Sequence, residues 1–134
     1  MESVTDIARG YIQVRRVLAA IAFSNDEIDD EERRIIASSL GGAAHLTREQ
    51  MGVLLDDVTQ KPKIEELVAK ISGAEYVKQL VIDLLALATV KQDWHESELQ
   101  AVYSAIHSLN IGEESQKNLQ HAFELTRTIS QSIR

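Results

Sequence analysis

Six carboxylates crowd into seven consecutive positions near the N-terminus, and acids clustered in this way can do three kinds of chemistry. The stretch is FSNDEIDDEERRII, residues 23–36, and its acids lie between Asp26 and Glu32. They could hold a hard cation such as calcium or magnesium, which takes several oxygen ligands. They could instead cap helix ends, where negative charge is favourable, or form a solvated face that meets a partner. We call residues 26–32 the acidic segment.

The cation interpretation has a defined set of candidate ligands, namely Asp26, Asp29, Asp30 and Glu32. Their spacing does not match an EF-hand, which needs alternating ligands, glycine at the sixth position and a bidentate glutamate at the twelfth. A flexible run of neighbouring carboxylates offers charge without a rigid cage. We therefore expect at most a weak calcium or magnesium site, with a dissociation constant of about 10⁻⁴ to 10⁻³ M. No other cofactor is predicted.

The partner interpretation rests on four acids that are not needed to cap a helix end. They are Asp26, Glu27, Asp30 and Glu31. Carboxylates at such close spacing repel each other unless positive charge approaches them. We therefore expect the acidic segment to lie on an exposed face and to bind a protein that has a basic surface. Charge pairing of this kind mainly sets the association rate and its salt dependence.

Enzyme chemistry finds little support in the sequence, and no catalytic residue is predicted. The histidines form neither a His-Glu-x-x-His zinc helix nor a Glu-x-x-His diiron pair, and no Gly-rich phosphate loop or Gly-x-Ser-x-Gly elbow occurs. Asp83 is the one unusual acid, because apolar residues flank it and burial would raise its pKa. A metal-dependent or carboxylate-based hydrolytic enzyme, centred on Asp83 or the acidic segment, is the alternative to a binding role. The histidines are His45, His95, His107 and His121.

Composition and charge further limit the classes of protein to which the chain can belong. A chain of 134 residues with 44% hydrophobic content can bury the core of a single domain. The net charge of -7 repels phosphate backbones, so we expect no nucleic-acid partner. The longest apolar run, residues 80–90, is broken by Asp83 and is too short to span a membrane. The absence of cysteine mildly favours a cytoplasmic location.

Hydrophobic periodicity predicts an all-α single domain over residues 1–134, a bundle of about seven helices, because apolar residues recur three and four apart throughout. Gly41 and Gly42 should end the second helix, and Thr47 with Gln50 forms a capping box before the third. Pro62 should lie in the first turn of the fourth helix and Gly73 should end it. The other predicted helices span about 5–23, 30–40, 75–91, 96–109 and 113–131.

Two helical hairpins, at about 5–40 and 75–109, are related in sequence. An offset of 66 residues places 18–40 over 84–106 with five of 23 positions identical and the apolar rows in register. This pattern predicts a weak internal duplication. Each copy should have an N-cap residue, a capping glutamate at the N3 position and an apolar residue that anchors the turn in the core. These are Asp29, Glu32 and Ile28 in the first copy, and His95, Glu98 and Trp94 in the second.

A repeated tight acidic turn with a single apolar residue and an acid four residues later resembles the TerB-like family, which includes tellurite-resistance TerB proteins and the N-terminal domain of DjlA-type co-chaperones. The matching residues are Ser24-Asn25-Asp26-Glu27-Ile28 with Glu32, and Val90-Lys91-Gln92-Asp93-Trp94 with Glu98. The resemblance covers nearly the whole chain and implies a helical, non-enzymatic domain. It further implies metal binding through acidic residues and a stress-response, tellurite-resistance or defence context.

The chain departs from the family motif at the first acid of each turn. Where the family has Asp-Gly, this chain has Asn25-Asp26 and Lys91-Gln92. Lys91 places positive charge where a metal ligand would stand, so we expect no ion at the second turn, residues 91–95. The expected function is that of a non-enzymatic binding module for a protein partner, with at most weak divalent-metal binding at the acidic segment.

Overall fold

The computed structural model describes residues 4–24, 29, 31–33, 47–91 and 93–133, and it describes the side chains of the first helix from Tyr11 onward. Residues 31–33 are helical, and these described parts contain no strand. The all-α prediction is therefore confirmed for them. The glycine pair at 41–42 and the rest of the predicted second helix lie outside the described residues. The helices are α1 (Val4–Phe23), α2 (Arg48–Gln60), α3 (Ile64–Ala69), α4 (Ala74–Val90), α5 (Glu96–Ser108) and α6 (Glu113–Ser132).

The capping box predicted at the start of α2 is present. The backbone N–H of Gln50 donates to Thr47 Oγ1 at 3.1 Å, and the backbone N–H of Thr47 donates to Gln50 Oε1 at 3.0 Å. At the other end of α2, Lys61 takes the left-handed conformation with φ 47° and donates its N–H to the carbonyl of Asp57 at 2.9 Å. Local sequence thus defines where this helix begins, and a strained residue marks where it ends.

The predictions for Pro62 and Gly73 were wrong in position. Pro62 precedes Lys63, the N-cap residue of α3, and so lies outside the helix. The helix ends at Ala69, where Lys70 closes the last turn with a bond to the carbonyl of Leu67 at 3.2 Å. Gly73 is the N-cap of α4, with φ 98°. A glycine with positive φ can follow the end of one helix or precede the start of the next, and the sequence spacing alone did not distinguish these two positions.

Most of the core is built from the apolar stripes that helical periodicity predicted. α1 contributes Val14, Val17 and Ile21, and the remaining helices from α3 to α6 add residues such as Leu67, Leu84, Val102 and Phe123, all at most 2% exposed. A smaller cluster joins α1 to α2 through Ile12, Ala19, Leu54 and Val58. Fully burying each large aliphatic or aromatic side chain contributes about 1.5 to 3 kcal/mol, so these stripes fix how the helices pack.

α1 is the central helix of the described fold, since it packs against α2, α3, α4 and α5. α4 packs mainly on α6 and α1, whereas α5 packs on α1, α3 and α6. Within this part of the chain, α4 and α5, the two helices of the predicted second hairpin, therefore pack mainly against other helices and not against each other. The relation between two duplicated hairpins stays a prediction.

Candidate functional site

The first turn of the sequence motif, residues 24–32, follows α1 in the sequence and includes the acidic segment. Ser24 ends the described part of α1, and both its N–H, at 3.3 Å, and its hydroxyl, at 2.6 Å, donate to the carbonyl of Ile21. The described acids here are Asp29, Glu31 and Glu32, and all three are exposed. The other predicted site residues, Asp26, Glu27 and Asp30, lie outside the described residues, as do Asn25 and Ile28.

Asp29 acts as the N-cap residue that the sequence predicted. Its Oδ1 accepts a hydrogen bond from the backbone N–H of Glu32 at 2.8 Å, and its carbonyl accepts from the N–H of Arg33 at 3.0 Å. Glu32 takes part in this cap through its backbone, while its side chain is exposed. The Glu32 carboxylate therefore faces solvent, where a partner or an ion could reach it.

The equivalent glutamate of the second turn has the opposite surroundings. Glu98 is 4% exposed, and its Oε1 accepts a hydrogen bond from the backbone N–H of His95 at 2.9 Å. This confirms the predicted capping role of Glu98. Its second oxygen, Oε2, lies 3.0 Å from Lys91 Nζ. Sequence reasoning treated Lys91 only as a charge that disfavours metal; in the structure, the lysine supplies the positive charge that a cation would bring to this turn.

Trp94 packs against the core from the second turn, as predicted for the residue that precedes the cap. Its ring meets Phe123 of α6 edge to face, with ring centroids 5.4 Å apart. Its indole N–H donates to the carbonyl of Lys91 at 3.2 Å, and Lys91 Nζ lies 5.4 Å from the ring centroid. The second turn is thus held by internal contacts of Lys91, Trp94 and Glu98.

Of the four predicted metal ligands, the described residues include Asp29 and Glu32. Across residues 4–24, 29, 31–33, 47–91 and 93–133, no three histidine or acidic side chains come together so that they could hold a metal ion. Because Asp26 and Asp30 lie outside these ranges, the weak calcium or magnesium site of the acidic segment stays a prediction.

Asp83 lies on α4 and is only partly buried. Its Oδ1 accepts a hydrogen bond from Gln79 Nε2 at 2.9 Å. Burial raises the pKa of Asp83 above its ordinary value, and this effect outweighs the hydrogen bond from Gln79 and the positive charge of Arg15, which both act to lower it. Such a carboxyl is chemically distinctive, but its hydrogen-bond partner is an amide one turn away on the same helix.

The described histidines are spread over separate places. His95 is exposed at the start of α5, His121 is exposed on α6, and a ring nitrogen of His107 lies 2.9 Å from Gln120 Oε1. His45 is outside the described residues. Across the described ranges, none of these histidines belongs to a group of three histidine or acidic side chains that could hold a metal ion.

Sequence reasoning missed an ion pair between α1 and α2. Arg16 binds the Asp57 carboxylate with two nitrogens, Nε to Oδ2 and Nη2 to Oδ1, each at 2.9 Å. The Arg16 and Asp57 side chains are 13% and 8% exposed. A signal was available, because Asp57 falls three residues after Leu54 and next to Val58 on an apolar stripe. An acid at such a position needs a partner when the stripe is buried.

In the described part of the chain, no helix has the length and apolar character needed to cross a membrane. No protein-family model matches the chain, and no curated protein or solved structure matches it significantly. The TerB-like resemblance therefore rests on the residues quoted from the two turns.

Proposed function

We propose that the chain is a non-enzymatic helical binding module that binds a protein with a basic surface through its acidic segment. The observation that supports this most is the different use of two matching glutamates. Glu98 is buried and paired with Lys91, whereas Glu32 is exposed beside the exposed Glu31. Acids that a fold does not neutralise internally can be neutralised by a partner.

The context that we propose comes from the TerB-like resemblance alone. On that basis, the module works in a stress-response, tellurite-resistance or defence setting, where it connects other proteins. We propose a binding role in preference to a carboxylate-based hydrolase because the described acids of the first turn, Asp29, Glu31 and Glu32, are exposed. The raised pKa of Asp83 is the observation that favours the hydrolase. Binding needs only the charge and exposure that Glu31 and Glu32 offer.

The test is a comparison of two variants that change net charge equally. The first neutralises the acidic segment with Asp26→Asn, Glu27→Gln, Asp30→Asn and Glu31→Gln. The second is the control and neutralises four exposed acids at the starts of α3 and α6. Its substitutions are Glu65→Gln, Glu66→Gln, Glu113→Gln and Glu114→Gln.

Each protein is immobilised and exposed to an extract of the native host at about 20 mM salt and at about 150 mM salt. We expect the wild type and the control variant to retain the same basic proteins at low salt and to lose much of them at the higher concentration. The acidic-segment variant should lose them at both. Equal retention by the two variants, or binding that does not respond to salt, contradicts the proposed function.

A further inference from the structure

A pocket of about 260 Å³ lies where the last turns of α1 and α2 meet the start of α3, and its wall includes Ser24 and Arg33, which flank the acidic segment in the sequence. Its wall is mostly apolar, formed by Ala20, Phe23, Val58, Pro62 and Ile64. An apolar cavity of about 150 Å³ is already large enough to bind benzene. The pocket can therefore take a compact apolar group such as one aromatic ring with a short substituent.

Asp57 is the acidic residue in the wall of this pocket, and its carboxylate already has a partner. The Asp57 carboxylate, which lines it, is held by two nitrogens of Arg16, and the Asp57 carbonyl accepts the N–H of Lys61 at 2.9 Å. The Ser24 hydroxyl, also in the wall, donates to the carbonyl of Ile21. Arg16 neutralises the Asp57 carboxylate, so that group repels an anion less than a free carboxylate would. The C-terminal ends of α1 and α2 carry partial negative charge, which the positive side chains in the wall must offset.

Lys61 is the positively charged group on which a ligand could draw. It lines the pocket, is exposed, and belongs to none of the ion pairs formed within the described residues. Arg33 is also in the wall and is 6% exposed, but it has a noncovalent interaction of its own. Arg33 adds positive charge, and Lys61 supplies the ammonium that can reach a ligand.

The backbone of Lys61 is a second unusual feature of the pocket. Of the described non-glycine residues, it alone has a positive φ, at 47°. Helix C-terminal positions with this conformation usually hold glycine, since a side chain there is disfavoured by about 1 to 2 kcal/mol. A residue kept in a sparsely populated conformation beside a cavity is a reason to look for function there.

We propose that this pocket binds a small amphipathic monoanion, a carboxylate attached to a compact apolar body. The apolar body packs against Val58 and Ile64, and the carboxylate pairs with Lys61 Nζ at the mouth. This site uses none of the acids of the acidic segment as a ligand and needs no protein partner, although Ser24 and Arg33 on either side of that segment line it. A positively charged rim on an acidic chain also distinguishes it from the surface that binds basic proteins.

The proposal is tested with three probes that share an aromatic body and differ in charge: phenylacetate, phenethyl alcohol and phenethylamine. Binding is followed by NMR of the full chain with labelled isoleucine and valine methyl groups. Val58 and Ile64 report on the pocket, while Ile82 and Ile129, both more than half exposed, report on an apolar surface elsewhere. Lys61→Gln removes the charge at the pocket, and Lys63→Gln is the matched control outside its wall.

We expect saturable shifts at Val58 and Ile64, with phenylacetate binding about three- to tenfold tighter than the alcohol and the amine weakest, as suits one partly solvated charge pair. Lys61→Gln should abolish the preference for phenylacetate and leave binding of the alcohol intact, whereas Lys63→Gln should keep the preference. No shift at Val58 or Ile64 at several millimolar phenylacetate overturns the site. Equal binding of the acid and the alcohol, or equal effects of the two lysine variants, overturns the assignment of an anion to Lys61.

Discussion

Glu32 and Glu98 occupy matching positions of the two turns, and the chain uses them differently. Glu32 joins the cap of its helix through its backbone N–H, and its carboxylate is exposed. Glu98 is buried, accepts the N–H of His95 and pairs with Lys91, whose side chain is 33% exposed. Position in the sequence motif therefore does not determine whether a carboxylate is structural. In the second turn, the N–H of His95 and the ammonium of Lys91 engage the carboxylate of Glu98.

Replacing Glu98 by alanine should lower the free energy of unfolding by about 1 to 2 kcal/mol, because the start of α5 loses a cap and Lys91 loses its partner. Thermal unfolding at neutral pH measures this loss. Glu98→Gln should recover part of it, since the amide oxygen can still accept from His95. The control is Glu96→Ala, an exposed acid in the same first turn. If the Glu98→Ala and Glu96→Ala proteins have the same melting temperature, neither the bond with His95 nor the pair with Lys91 stabilises the fold.

Asp83 should make stability depend on pH. Burial raises its pKa in the folded chain above the unfolded value of about 4. Its favourable contribution is therefore fully present below that unfolded pKa and is lost as the pH rises through the raised folded pKa. Asp83→Asn keeps an oxygen that can accept from Gln79 and should raise the free energy of unfolding at pH 7.

Urea unfolding of the Asp83→Asn protein between pH 3 and pH 7 checks this dependence. The gain over the wild type should shrink as the pH falls through the raised folded pKa towards about 4, and it should stay at its smallest value below that pH. Glu75→Gln, on the same helix, is the control, because its carboxylate is exposed in the first turn and favours the helix when charged. A constant difference between Asp83→Asn and the wild type across this range argues against a raised pKa.

At the scale of elements, the sequence predicted what depends on near neighbours. The capping box joins Thr47 and Gln50, which are three positions apart, and the structure contains it, as it contains the cap formed by Glu98. The bond between Arg16 and Asp57 joins residues 41 apart and depends on how α1 and α2 pack. The features of the candidate site divide in the same way, because those that depend on near neighbours were predictable and those that depend on packing were not. Exposure of Glu31 follows from local composition, whereas a pocket between three helix ends follows only from their packing.

The ion pair between α1 and α2 should be costly to break from one side. Asp57→Leu or Arg16→Leu alone should lower the free energy of unfolding by about 3 to 5 kcal/mol, because each leaves a largely buried charge without its partner. The double variant should recover most of that loss, since a pair of apolar side chains can replace such a bridge. Urea unfolding of all four proteins completes the cycle.

The pair between Lys117 and Glu113 is the control for this cycle, because its side chains are 72% and 85% exposed. Its coupling should not exceed about 0.5 kcal/mol. If the coupling between Arg16 and Asp57 is as small, the bridge does not hold α1 against α2.

At the scale of the whole molecule, titration with metal ions samples every site at once. We expect calorimetry with calcium and magnesium to give at most one weak binding event, with a dissociation constant of about 10⁻⁴ to 10⁻³ M. Asp26→Asn with Asp30→Asn should remove it, and Lys91→Ala should leave it unchanged. Zinc is titrated in parallel. A micromolar or tighter constant that survives the aspartate substitutions would mean that the ion binds away from the acidic segment.

The ion pair of Lys91 with Glu98 also affects how the chain can diverge. Substitutions at this pair disturb a buried contact, so selection for folding should keep the second turn nearly fixed in related chains. Glu31 and Glu32 are exposed, and their charges can drift or reverse with little loss of stability. Related chains can thus exchange one binding partner for another through substitutions in the first turn, while the second turn continues to stabilise the same fold.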